Sequence, residues 1–341
     1  MTADVRPIEW KNDHLVLLDQ TQLPLVETYL TIDTVARLND AIMRLVVRGA
    51  PALGAVGGYG VALAIIEGKR EGWDAGRLAS EIDSIRNARP TAVNLAWGVN
   101  RVEPFVAQGL DAVLNEAHAI AAEDAAANRE MGRRGADWIE QHVERRPLRL
   151  LTHCNTGTLA TTEWGTALGV IRELHARGKV ELVYADETRP LLQGARLTAW
   201  ELQRNGIAHV VQADGAAAST ILRGMVDVAL IGADRIAANG DSANKIGSVG
   251  VALACKEAGI PFLVVAPVST VDLDTATGAD IHIELRSGDE VTTLAGVRTA
   301  PLESQGFNPA FDVTPAHLIT AIVTETAVIE MTKGQTPKSV L

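Results

Sequence analysis

The chain has 341 residues, enough for two domains, and is 47% hydrophobic but only 4% aromatic, so its core must be built from Ala, Val, Leu and Ile. A net charge of -11 and a pI near 5.2 exclude a general affinity for nucleic acid or for anionic membranes. No apolar run approaches the roughly 18 residues of a membrane span, the first residues lack the apolar stretch of a signal peptide, and two cysteines suit a reducing cytoplasm.

Residues 7–32 carry short strand signals, Ile8-Glu-Trp10, Leu15-Val-Leu-Leu18 and Val26-Glu-Thr-Tyr-Leu30, broken at Asn12-Asp13 and Pro24; they predict a small antiparallel sheet. Asp33 is placed as the N-cap of a helix over 34–47, in which Val35, Leu38, Ile42, Leu45 and Val46 follow helical spacing. Gly49 ends it, and Pro51 opens the next helix over 52–67 as a first-turn proline. Further helices are expected at 76–88, 94–108 and 112–143, so residues 33–146 read as a helical unit. Gly54-Ala-Val-Gly57-Gly58-Tyr-Gly60 has the glycine content of a dinucleotide loop but follows a helix rather than a strand, and is read as close helix packing.

The rhythm changes after Arg145-Arg-Pro147. Apolar strand patterns at 148–152, 180–185, 208–212, 226–231 and 261–266 alternate with helical patterns at 166–177, 192–205, 219–224 and 244–258. This alternation means a parallel sheet covered on both faces. The expected fold class is α/β, with a mainly helical N-terminal domain carrying a small antiparallel sheet over 1–146 and a Rossmann-like parallel-sheet domain over 147–341.

In a parallel sheet all strand C-termini share one edge. Here that edge carries Cys154-Asn155-Thr156, Asp186-Glu187-Thr188-Arg189, Asp214, Asp234-Arg235 and Pro267. Strand-end aspartates often cap helices, and that reading suits Asp214. Asp234 differs, because its strand is wholly apolar and no helix is expected until 244; a carboxyl group there should be desolvated and suited to act as a general acid. Two stretches look built for an oxyanion: Arg48-Gly49-Ala50-Pro51, a glycine turn before a helix N-terminus, and Asn244-Lys245-Ile-Gly247, placed at the start of another helix. With Arg89-Pro-Thr91 they favour a phosphate, although each is equally compatible with a structural turn. His153 should point away from Cys154, as neighbours in extended chain do, and Cys255 reads as core. No histidine, cysteine or aspartate cluster has metal-ligand spacing, so no metal and no nicotinamide or other cofactor is expected.

Several motifs carry a resemblance that spans essentially the whole chain: Leu17-Leu-Asp-Gln-Thr-Gln-Leu-Pro24, Arg48-Gly-Ala-Pro-Ala-Leu-Gly54, Arg89-Pro-Thr-Ala-Val-Asn-Leu95, Thr152-His-Cys-Asn-Thr-Gly157, Ala185-Asp-Glu-Thr-Arg-Pro-Leu-Leu-Gln-Gly-Ala-Arg196, Gly232-Ala-Asp-Arg-Ile-Ala-Ala-Asn-Gly240 and Asn308-Pro-Ala-Phe-Asp-Val-Thr-Pro315. In order and spacing they resemble the methylthioribose-1-phosphate isomerases, of the superfamily shared with the regulatory subunits of the eukaryotic initiation-factor-2 exchange factor. The resemblance implies a homodimer and a step of methionine salvage, in which a cyclic aldose 1-phosphate becomes the open-chain ketose 5-methylthioribulose 1-phosphate. It implies Asp234 as general acid and Cys154 as the second catalytic group. It gives substrate and phosphate contacts to Arg48, Gly49, Ala50, Arg89, Gln193, Asn244 and Lys245. The chain departs from the usual pattern at Thr162-Glu-Trp-Gly165, Asp214-Gly-Ala216 and Glu284-Leu-Arg286, which leaves 5-deoxyribose 1-phosphate and ribose 1,5-bisphosphate as alternative substrates. A non-catalytic sugar-phosphate-sensing or assembly subunit is the alternative of another class.

Overall fold

The structure, a computed structural model, describes residues 5–89 and 93–341, so Pro90 and Thr91 of the expected phosphate motif lie outside the described residues. The chain divides into two compact units. One holds the residues up to Arg129 together with Gly157–Gly165, and the other holds Glu130–Thr156 and Thr166–Leu341.

In the first unit β1 (Ile8–Lys11), β2 (His14–Leu18) and β3 (Tyr29–Ile32) form the expected antiparallel sheet in that order. Asn12 and Asp13 join Lys11 to His14 with φ of 44° and 64°, the left-handed pair that a two-residue hairpin needs. Helix α1 (Val35–Met43) is capped by Thr34, whose hydroxyl accepts the Arg37 N–H, and not by Asp33, whose carboxylate pairs with the Arg37 guanidinium instead. It stops early because Leu45 turns to φ 63°.

Helix α2 (Ala50–Glu71) is longer than expected, and α3 (Ala75–Arg86) and α4 (Val93–Val102) follow it. By length and composition α2 could cross a bilayer, contrary to the expectation that no such run exists. Most of it is buried in its own unit, where Leu53, Val56, Val61 and Leu63 join Leu38, Ile42, Ile85 and Leu95 in one aliphatic core. Its glycines let α4 approach closely. A Cβ on Gly57 would lie 2.5 Å from the Leu95 carbonyl oxygen, and one on Gly98 would lie 2.0 Å from that of Gly54. The glycine-rich stretch is therefore helix packing.

Helix α5 (Leu110–His142) serves two cores: Val113, Ala117 and Ile120 belong to the first, Met131, Ala136 and Ile139 to the second. The compact units accordingly divide inside this helix, between Arg129 and Glu130, whereas the sequence reading puts its boundary after Arg146.

The second unit continues with β4 (Leu148–Thr152), α6 (Ala167–Ala176), β5 (Val180–Asp186), α7 (Ala199–Arg204), β6 (His209–Gln212), α8 (Ala217–Leu222), β7 (Val228–Ile231), β8 (Arg235–Ala237), β9 (Ser242–Lys245), α9 (Ser248–Ala258) and β10 (Phe262–Val265). Beyond them lie β11 (Val271–Asp272), the hairpin β12 (Thr293–Leu294) and β13 (Val297–Arg298), then β14 (Phe311–Thr314), β15 (Ala321–Val323) and β16 (Val328–Ile329). The main sheet runs β16-β15-β10-β7-β4-β5-β6, with every pair parallel except β15 and β16. Its six parallel strands, numbered in chain order, lie 3-2-1-4-5-6, the order of a doubly wound sheet. Strand residues alternate between two cores: Leu150, Val183, Leu230 and Leu263 face one, Leu151, Tyr184, Ala229 and Val264 the other. Both faces are thus covered, as all-apolar strands require.

A second sheet, β11-β8-β9-β14, was not anticipated. It takes Asn244 and Lys245, expected at the start of a helix, into the strand Ser242–Lys245 paired antiparallel with β14, so α9 begins only at Ser248. The partner strand lies more than sixty residues away, beyond the reach of any local pattern.

Candidate active site

Strands β4 and β7 are neighbours, with Thr152 opposite Leu230. Between them the strand order reverses, and open α/β sheets bind ligands in the crevice outside the carboxyl ends at that switch point. Cys154 follows β4 by two residues and Asp234 follows β7 by three, so both leave adjacent strands at the same edge. The two loops touch: a Cβ on Gly232 would lie 2.8 Å from Cγ2 of Thr156.

Cys154 is buried and holds φ 65°, a left-handed conformation that a residue with a Cβ rarely adopts. Its N–H donates to Oγ1 of Thr188 at 2.9 Å, and its carbonyl accepts from Oγ1 of Thr198 at 2.6 Å. Both threonines are fully buried. Thr188 is itself at φ 65° and passes its hydroxyl proton to the Asp186 carbonyl, 3.0 Å away. Thr198 closes a π-helical turn, Gly194–Thr198, that leads into α7. The neighbouring Asn155 donates to Oε1 of the buried Glu201 at 2.8 Å.

Asp234 is exposed, so the chain's own packing does not impose the desolvation that the sequence reading expects from its apolar strand. The reason is that the segment beyond β7 does not stay in the main sheet. It crosses into the second sheet, where the Asp234 N–H donates to the Ala243 carbonyl and the side chain is left at the rim.

Gln193 is buried just before the π-turn, and its Oε1 has no hydrogen-bond partner among the described residues. Asn244 and Lys245 are buried on β9. Asn244 donates to Oγ of Ser248 at 2.9 Å, while Lys245 Nζ donates to the Ala310 carbonyl at 2.8 Å and lies 4.4 Å from the centre of the Phe311 ring. They do not open a helix. The N-terminus of α9 lies further on, and its amides are taken: Oδ2 of Asp312 accepts the N–H groups of Gly247 at 2.8 Å and Val249 at 3.2 Å. Burial pushes the Asp312 carboxyl up, against the lowering effect of those amides.

His153 is structural, as expected. Its Nδ1 meets Oδ2 of Asp186 at 3.0 Å and its Nε2 the Ile246 carbonyl at 2.8 Å. Burial works against the imidazolium, but the Asp186 carboxylate outweighs it, and the His153 pKa is raised. Burial also pushes the Asp186 carboxyl up, so the pair holds a proton that its members would release in water. Asp214 does not cap a helix; its oxygens accept the N–H groups of Thr188 at 2.7 Å and Arg189 at 2.6 Å. No metal-ligand spacing is visible in the sequence, yet in space His153, Asp186 and Asp214 each bring a ligand atom within 4.8 Å of the others. The hydrogen bonds just described account for that cluster.

The remaining candidates lie in the first unit. Arg48, Gly49 and Ala50 are partly buried where α2 begins, with Gly49 as its N-cap and Pro51 in its first turn. Gly49 holds φ 103°, and a Cβ there would lie 2.3 Å from the Ala160 carbonyl oxygen. Arg89 is partly buried at the edge of the described residues. The first-turn amides of a 22-residue helix are a suitable anion cradle, and Arg48 stands two residues before its start. Sequence reasoning gave no role to Thr188, Thr198 or Asp312; hydroxyls that bond a backbone 34 or 44 residues away leave no periodic signal.

The sequence pattern of the initiation factor 2 subunit family matches residues 46–331. The chain belongs to that family. Within it, a probable bifunctional methylthioribose-1-phosphate isomerase/methylthioribulose-1-phosphate dehydratase of Nocardia farcinica is 51% identical over 98% of this chain, which spans 61% of that longer protein. A methylthioribose-1-phosphate isomerase of Nitrosococcus oceani is 49% identical over 95% of this chain and 94% of its own. Among solved structures, 5-methylthioribose 1-phosphate isomerase from Pyrococcus horikoshii OT3 superposes with a TM-score of 0.87 at 41% identity, covering 96% of this chain and 93% of that one. A structure described as translation initiation factor eIF-2B, subunit delta, from A. fulgidus reaches 0.84 at 42% identity, covering 96% of each.

Proposed function

We propose that the chain is an aldose–ketose isomerase converting 5-methylthioribose 1-phosphate into 5-methylthioribulose 1-phosphate, a step of methionine salvage. The observation that carries the reading is the pairing of a buried, left-handed Cys154 with Asp234 beyond adjacent parallel strands at the sheet's switch point. The names of the 49–51% identical relatives support the substrate.

The chemistry explains the residue types. Phosphate on the anomeric oxygen stops the sugar opening to a free aldehyde, so an acid must protonate the ring oxygen; Asp234 is assigned that proton. Because Asp234 is exposed in the chain alone, the substrate itself must complete its desolvation and so favour the protonated form. Hydrogen then moves from C2 to C1 and the C2 hydroxyl loses its proton. Cys154 serves either as base for the C2 proton or as the group that faces developing charge during a hydride shift. Arg48, Gly49, Ala50 and Arg89 are assigned to the phosphate, and Gln193, Asn244 and Lys245 to substrate contacts. The unpartnered Oε1 of Gln193 suits a sugar hydroxyl. We place the enzyme in the cytoplasm, where its two free thiols persist, and as a homodimer.

Asp234→Asn tests the acid role. Turnover should vanish while substrate still binds, and near-normal turnover would refute it. Solvent deuterium at C1 of the product supports abstraction by a base, and its absence supports the hydride shift. The A. fulgidus structure keeps a second reading in play, a subunit that senses or assembles without turnover. A turnover assay on the methylthio, deoxy and bisphosphate sugars separates these readings.

A further inference from the structure

We propose that Thr188 and Thr198 are positioning residues for Cys154, a role that rests on the reading of Cys154 as a catalytic group. Left to itself, a residue with a Cβ avoids φ 65°, and nothing in the ladder of β4 imposes it, because the strand ends at Thr152. The two peptide groups that set the direction of the thiol are held instead by side chains. Thr188 takes the amide on one side of Cys154, and Thr198 takes the carbonyl on the other.

Both hydroxyls are themselves fixed. Thr188 donates onward to the Asp186 carbonyl, and its own backbone N–H is anchored by the Asp214 carboxylate. Oγ1 of Thr198 accepts from Asn155 at 3.3 Å while donating to Cys154, so its proton has one direction to go. Its backbone stands in the π-turn, a device that re-aims one residue of a helix. A Cβ on Gly194, in the same turn, would lie 1.6 Å from the Asp186 carbonyl oxygen, so this segment is seated tightly against β5. The thiol is therefore aimed by two hydroxyls from the segment that follows the neighbouring strand β5 at the same sheet edge. Loss of either releases one peptide group of a strained residue and lets the sulfur swing.

The test compares Thr188→Val and Thr198→Val, which keep the shape and remove the hydroxyl, with Thr188→Ser and Thr198→Ser, which keep the hydroxyl. Ala variants stand in if a Val variant does not fold. Two quantities are read in the full chain: kcat and KM for the 1-phosphate substrate, and the pH profile of Cys154 alkylation by iodoacetamide, followed by peptide mapping so that Cys255 does not interfere. The Val or Ala variants should lose about 10- to 100-fold in kcat with KM within about twofold, and should shift the alkylation profile. The Ser variants should stay within about threefold in kcat and leave the profile in place. Hydroxyl-free variants with unchanged kcat and unchanged alkylation overturn the proposal, as do Ser variants that fail as badly as Val. A Cys154→Ser control that turns over normally overturns the catalytic reading of the thiol instead, and the alkylation profiles still judge the clamp.

Discussion

Gly49 offers a sharp test, because two explanations of the same glycine predict different losses. If glycine is needed so that a phosphate can approach the backbone, Gly49→Ala should weaken substrate binding and leave folding alone. The structure gives the glycine a packing reason as well, independent of its assignment to the phosphate. At φ 103° an alanine enters a region that is nearly reserved for glycine, at about 1–3 kcal/mol. Its Cβ would sit 2.3 Å from the Ala160 carbonyl oxygen, an overlap with backbone that cannot rotate away, and forced repacking of this kind costs about 1–3 kcal/mol more. Together these give about 2–6 kcal/mol. With a urea dependence of about 2 kcal/mol per molar, the unfolding midpoint should fall by at least about 1 M. The assay is urea unfolding followed by circular dichroism, with substrate affinity measured on the folded fraction. A Gly49→Ala protein that unfolds at the original midpoint refutes the packing account and returns the residue to the ligand.

Raising the pH should expose the His153–Asp186 pair. His153 is raised in the folded state, so its contribution is fully present below its unfolded value of about 6.5 and is lost as pH climbs through the folded one; the raised Asp186 carboxyl has the same sign. Above about pH 6.5 the urea midpoint of the natural protein should therefore fall more steeply than that of Asp186→Asn, and parallel curves would sink this assignment. Burial pushes the Cys255 thiol up to about 12, so at pH 8 iodoacetamide should leave Cys255 unmodified in the folded chain and modify it in urea, as peptide mapping would read out. Asp312→Ala should strip the acceptor from two amides at the start of α9 and lower stability by about 1–3 kcal/mol. An unchanged thermal midpoint would show those amides to be satisfied by water. Gly98→Ala, with its Cβ 2.0 Å from the Gly54 carbonyl, should destabilise by about 1–3 kcal/mol without altering KM, and equal loss of affinity in the folded fraction would contradict its purely packing role.

What could be read without coordinates follows from the range of the forces involved. The central strands β4, β7 and β10 were legible because each is a mainly apolar run buried between two cores, and β4 was placed to the residue, whereas the short strands β15 and β16 on the far side of β10 were not expected. Cys154 and Asp234 could be placed on one edge from sequence because strand ends in a parallel sheet must gather there, whatever the details of the loops. The failures have one local cause and one remote one. Asp33 and Thr34 are both good caps, and an ion pair with Arg37 decided between them. Asn244 and Lys245 carry no strand signal of their own; β14 makes them a strand from a distance, and Asp312 on that same strand fills the helix terminus that was offered to a phosphate. The exposure of Asp234 depended on the same unseen sheet. Chemistry-bearing residues were visible by type, whereas their solvation was set by partners remote in the chain.

The path of the chain also bears on how such a protein can be cut, fused or inherited. Residues 157–165 belong with the first unit although the strand before them and the helix after them belong to the second, and α5 carries its own division within a single helix. A fragment ending at residue 146 would therefore keep half a helix with its apolar face stranded and would lack nine residues of its own body. Neither half is a portable module. Gene fusion at the chain's ends leaves this interleaving intact, whereas recombination between the units would break both at once.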